Sequence, residues 1–153
     1  SADIDYANNE LRILSGLYGI LRPNDLICPY RLEIGYGFPA NLYEFWGKQM
    51  GEQVSGEVVY NVASAEYAKA VIPYLPKTTE VIEPQFFVQY PGEQPKFAAY
   101  HAKIARGAYA AWLVKNRIRE NSKVEQFTDL GYSYSLELSK PNKPAYILQT
   151  TKK

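Results

Sequence analysis

The residues best suited to chemistry begin at Leu14-Ser-Gly-Leu-Tyr-Gly19, followed by Ile20-Leu-Arg-Pro23. A helix that runs into Gly16 and Gly19 makes a tight hairpin. A second short helix starting near Pro23 would then leave backbone N–H groups facing a phosphate. Helix-hairpin-helix modules hold DNA backbone in this way without reading bases. The hydrophobic-x-Gly-hydrophobic-x-Gly spacing fits them, while Pro23 and Pro29 shorten the second helix. A helix that simply ends on glycine is the commoner meaning of such a run.

Next comes Arg22-Pro-Asn-Asp25 with Pro29-Tyr-Arg-Leu-Glu33. Arg22 and Arg31 would present planar forks to phosphate, oriented by Asp25 and Glu33. The plainer alternative is a structural network of ion pairs. Tyr30, beside Arg31, adds a ring able to stack on an exposed base when cations are close.

A third group lies on a helix expected over residues 101–120. Lys103, Arg106 and Arg117 fall within an arc of about 60°, opposite Ile104, Ala108 and Ala111. Gly107 interrupts that helix at a cost of about 1 kcal/mol relative to Ala, so a packing partner or ligand is expected to approach there. Lys115 and Arg119 fall off the stripe, which suggests an end or outward turn near them. A fourth candidate is Tyr60-Asn-Val-Ala-Ser-Ala-Glu-Tyr67, a strand entering a helix N-terminus, where ligands often bind. Ser64 reads there as the N-cap and Glu66 as favoured by the helix dipole.

These residues need elements to carry them. Ile4, Ala7, Leu11, Leu14 and Tyr18 recur at helical spacing, so the first helix should run from the N-terminus to the glycines. Residues 20–39 read as loop. Asn41 should cap a helix over 42–50, and Val58-Val-Tyr-Asn-Val-Ala reads as a buried strand. Ser64 should cap a helix to about Ile72. Strand follows over 80–90, broken at Pro84, with 96–100 returning after a turn at 91–94. Segments 131–138 and 145–151 should form a C-terminal hairpin. The fold class is therefore α/β or α+β: a mixed sheet with packed helices and a helix-hairpin-helix-like element near the N-terminus. Residues 1–153 are expected to be a single domain.

Composition narrows the chemistry. The 153 residues are 46% hydrophobic and carry a net charge of +1, so nucleic acid would be met by a local patch rather than a polycation. One cysteine, Cys28, permits no internal disulfide and points to a reducing, cytoplasmic setting. It reads as buried filler. A single Cys and a single His fall short of a zinc, heme or iron–sulfur ligand set, so no cofactor is expected. Ser1–Ala7 lacks a signal-peptide pattern, and no apolar run approaches the roughly 20 residues of a membrane span.

Taken in order, these stretches resemble the YaaA family of peroxide-stress proteins. The matching words are Leu11-Arg-Ile-Leu-Ser-Gly-Leu-Tyr-Gly-Ile-Leu-Arg-Pro23, Asp25-Leu26, Pro29-Tyr-Arg-Leu-Glu33 and Leu42-Tyr-Glu-Phe-Trp-Gly47. Asn61-Val-Ala-Ser64, Glu66-Tyr67, Lys103-Ile-Ala-Arg-Gly107, Asn116-Arg117 and Gly131-Tyr132 continue them. Members carry a further N-terminal segment, so this chain would be the C-terminal part of a larger single-domain protein. The resemblance implies a cytosolic protein that limits iron-linked peroxide damage and binds DNA, with no established reaction. By matching positions, Gly16 and Gly19 would form the hairpin, and Arg22, Arg31, Lys103, Arg106 and Arg117 would line a basic cleft, with Tyr30 beside it. The expected partner is duplex or structured DNA, bound with little sequence preference. The rival is an enzyme on nucleotides or nucleic-acid bases, with Glu33 or Glu66 as acid/base. Sequestration of iron by carboxylates is a third possibility, without His at ligand spacing to support it.

Overall fold

A computed structural model describes residues 1–37, 40–54 and 56–151. The fold is α+β, with several small sheets, packed helices and a C-terminal antiparallel strand pair. Its contacts divide into two compact units, Ser1–Glu57 with Ala63–Thr79, and Val58–Val62 with Glu80–Lys153.

In the first unit, helix α1 spans Ala2–Glu10 and buries no residue. It stops short of the glycines where its end was expected: Leu11 is extended, and Ile13–Ser15 (β1) pairs antiparallel with Gly19–Leu21 (β2). The glycine motif is therefore the turn of a β-hairpin, and the helix-hairpin-helix expectation is corrected. The turn explains the misreading. Ser15 Oγ accepts the amides of Leu17 and Tyr18 at 3.2 and 2.9 Å, and Gly19 closes the turn at φ +76°. Few residues but glycine adopt that conformation cheaply. The second short helix is also missing: residues 22–37 hold no helix or strand.

Helix α2, Leu42–Trp46, is capped by Asn41 as expected, its side chain accepting the Tyr43 amide at 3.1 Å. Two one-turn helices follow, α3 at Gln49–Glu52 and α4 at Ala65–Ala68. Ile34, Met50, Ala70 and Val71 form the buried centre, flanked by Leu14, Ile20, Trp46 and Tyr67. Ile34 thus anchors the long loop while most of the residues around it stay exposed.

The second unit holds two sheets. Strand β3, Val58–Tyr60, pairs parallel with β4, Glu80–Ile82. The chain breaks at Glu83-Pro84, where Pro denies the ladder a donor, and resumes as β5, Gln85–Gln89. Strand β5 lies between β6 (Lys96–Phe97, antiparallel) and β8 (Ala145–Gln149, parallel), and β7 (Tyr132–Tyr134) closes the far edge antiparallel to β8. At the break, Glu83 accepts from Lys143 at 2.9 Å and Asn61 at 3.2 Å. The hydrogen bond from Lys143 is the main cause holding its carboxyl below the usual carboxylate range.

The long helix α5 runs Ala99–Lys115 and packs on β5. Its buried positions are Ala102, Ala105, Tyr109 and Trp112, spaced as one helical face. The expected core arc of Ile104, Ala108, Ala111 and Trp112 is corrected in part: Ile104 is 45% exposed and Ala111 is exposed, while Trp112 is in the core as expected. The core is aromatic. Phe86, Tyr109, Phe127, Tyr132 and Tyr146 meet there, mostly edge to face, an arrangement their ring quadrupoles favour.

Candidate functional site

The hairpin turn packs on the loop that carries Tyr30 and Arg31. Both Gly16 and Gly19 are buried. A Cβ on Gly16 would lie 2.8 Å from Leu32 O, and one on Gly19 would lie 2.9 Å from the Trp46 ring. Trp46 Nε1 donates to Gly16 O at 2.9 Å, so the indole spans the turn. Ser15, only 1% exposed, sits within 2.5 Å of Tyr30 OH, and the Tyr18 ring meets the Tyr30 ring edge to face at 5.3 Å. The structure therefore groups Gly16, Gly19 and Tyr30 around one small hairpin.

Arg22 follows β2 directly, and both Arg22 and Arg31 are exposed. The expected network of ion pairs among Arg22, Asp25, Arg31 and Glu33 does not form among the described residues. Asp25 accepts the backbone amide of Arg22 at 2.7 Å, folding a short turn. Glu66 likewise accepts the Gly35 amide at 2.7 Å, and Tyr43 OH donates to Glu66 O at 3.0 Å. Among the described residues no carboxylate lies within ion-pairing distance of Arg22 or Arg31. Cys28 is exposed rather than buried, its amide donating to Tyr18 OH at 3.3 Å. Ser64 occupies the N-cap of α4 without a side-chain cap bond.

The remaining cations belong to the second unit. Lys103 is exposed on α5, and Arg106 is half-buried with Nε donating to Ala102 O at 3.3 Å. Arg117 leaves the expected stripe. Helix α5 ends at Lys115 and Asn116 caps it, so Arg117 stands beyond the helix at φ +54°. The Ile118 amide reaches Leu113 O at 3.0 Å and the Arg117 amide reaches Val114 O at 3.3 Å. These are the two bonds of a Schellman cap, with arginine where glycine usually stands. Arg117 Nη1 also donates to Val114 O. A line of three cations along one helix face is thereby corrected to two, Lys103 and Arg106.

Gly107 is exposed, and a Cβ there would meet open space within 4 Å. Among the described residues no packing partner explains it. Gly107→Ala should therefore stabilise the fold by up to about 1 kcal/mol, the helix-propensity difference. Urea denaturation checks this, and a destabilised variant would contradict the open space.

Sequence reasoning quoted the stretches that hold Ser15, Tyr18, Trp46 and Tyr67 but gave these four side chains no role in the site. The signal for Ser15 was available: a serine directly before a glycine turn can serve the turn amides. Trp46 reaches the hairpin, and Tyr67 the Ile34 cluster, only through tertiary packing. Burial raises the Tyr67 pKa, and the Ile34 backbone partly offsets it. Among the described residues, no three His, Cys, Asp or Glu side chains converge to hold a metal ion. Nor is any helix among them long and apolar enough to cross a membrane.

The site thus defined is an α+β surface of turns, arginines and tyrosines. A family model described as peroxide stress protein YaaA matches residues 1–138, and the chain belongs to that family. It is similar to a UPF0246 protein of Salinispora tropica, 44% identical over 97% of this chain and 58% of that protein. UPF0246 proteins of Ruegeria pomeroyi (39% identical) and Burkholderia lata (41%) match over 96% and 95% of this chain, and 61% and 60% of their own lengths. The chain spans about three fifths of the length of the curated relatives it matches.

Proposed function

We propose that this chain serves peroxide-stress defence in the cytoplasm by holding DNA through its phosphates, with little regard to sequence, and so limits iron-linked damage. The observation that carries the reading is the exposure of Arg22 and Arg31 on the loop beside the hairpin, with no carboxylate at ion-pairing distance among the described residues. An arginine without an internal partner keeps its planar fork available for a phosphate oxygen. Exposed Lys103 supports the same reading from the second unit. The family supports the stress role. Catalysis on nucleotides is less favoured, because the Glu66 carboxylate already accepts the Gly35 amide.

The test is a titration of a mixed-sequence duplex at several salt concentrations. Each phosphate-neutralising arginine contributes about 0.9 to the slope of log affinity against log salt. Arg22→Ala and Arg31→Ala should each flatten the slope by about one unit, equally for unrelated sequences. Binding that ignores salt, or slopes unmoved by both substitutions, overturns the proposal.

A further inference from the structure

We infer that Tyr30 is an oriented hydrogen-bond donor to a phosphoryl oxygen, and that buried Ser15 is the positioning residue that aims it. The inference rests on the phosphate-binding reading and adds to it a neutral contact with its own support. Ser15 Oγ accepts two backbone amides, from Leu17 at 3.2 Å and Tyr18 at 2.9 Å. A hydroxyl oxygen has two acceptor positions and one proton. With both positions filled, the serine proton is what remains for the 2.5 Å contact with Tyr30 OH. Ser15 therefore donates and Tyr30 accepts.

That direction decides what Tyr30 can do. Its own phenolic proton cannot lie on the Ser15 axis and points elsewhere. Ser15 is the one hydrogen-bond partner of this hydroxyl among the described residues. Tyr30 is 38% exposed as a residue, and Tyr18 braces its ring edge to face. A serine at 1% exposure is held by its surroundings, so the phenol is fixed before any ligand arrives. The group suited to it is an acceptor-only oxygen beside positive charge, and Arg31 is the next residue. A phosphodiester oxygen has that chemistry.

The neutral phenol separates this contact from those of the arginines. It releases no counterion, so removing it should lower affinity while leaving the salt slope unchanged. Tyr30→Phe keeps the ring and its packing. Against a mixed-sequence duplex it should bind about tenfold more weakly, the loss of one hydrogen bond to a charged acceptor. Ser15→Ala also frees the Leu17 and Tyr18 amides, a stability cost that urea denaturation reads separately. In binding it should resemble Tyr30→Phe and add nothing in a Tyr30→Phe background, because its effect on the phosphate runs through the phenol. Tyr30→Phe binding as tightly as wild type overturns the inference alone. A slope that falls together with affinity also overturns it, since that means a displaced loop carrying Arg31 away. Wild-type protein without salt-dependent binding overturns the DNA reading itself, and this inference with it.

Discussion

Replacing Gly19 by valine should destabilise the protein by about 3 kcal/mol. Two separate costs add. Gly19 stands at φ +76°, where an L-residue loses roughly 1–2 kcal/mol, and β-branching adds to the crowding. The new Cβ would also approach Trp46 Cη2 and Cζ3 at 2.9 Å, and overpacking of this kind costs about 1–3 kcal/mol. The indole has little freedom to yield, because Nε1 donates to Gly16 O across the same turn. Gly92 offers the control. It has a similar φ of +74° but open space around its Cβ position, so Gly92→Val should cost only the backbone part, about 1–2 kcal/mol. Urea denaturation followed by tryptophan fluorescence reads both variants. Equal losses at Gly19 and Gly92 would remove Trp46 from the account. Weakened DNA binding in Gly19→Val would report a disturbed hairpin, so the variant is no test of a backbone phosphate contact.

That hairpin also shows where sequence reading stops. Leu11 and Leu14 continue the helical spacing of Ile4 and Ala7, yet α1 ends at Glu10. Periodicity saw the apolar residues but not their destination: Leu14 and Ile20 pack together beside Ile34 and Met50 only once the chain has doubled back. The strand break at Pro84 and the Asn41 cap were legible because Pro and Asn act locally on the backbone. Arg117 was misplaced for the opposite reason. No local signal marks an arginine at φ +54°, since the cap is secured by Ile118, which is buried in the core. The exposed arginines of the loop were legible by type and spacing. Their lack of carboxylate partners was not, because Asp25 turns to the Arg22 backbone amide instead.

Phe127→Ala should be the most damaging single substitution in the second unit, costing about 4 kcal/mol. Phe127 is 0% exposed and its ring meets five others. The centroids lie 5.0 Å from Tyr109, 5.3 Å from Tyr146, 5.6 Å from Trp112, 6.1 Å from Phe86 and 6.4 Å from Tyr132. No periodic pattern announces it, because it follows a short 3-10 turn, Asn121–Gln126, rather than a long helix or strand. Truncation removes apolar surface and leaves a void whose walls are held from both sides. Trp112 and Tyr109 belong to α5, and Tyr146 is tied by its hydroxyl to Val124 O at 2.8 Å. Walls that cannot collapse keep the cost within the usual range for Phe→Ala, about 3–5 kcal/mol. Phe127→Leu refills most of the volume and should recover more than half of the loss. The midpoint of urea denaturation, with Trp112 fluorescence as the local reporter, measures both variants. A loss below about 1 kcal/mol for Phe127→Ala would mean that the aromatic cluster closes over the void, and Phe127 would lose its place as the keystone of that core.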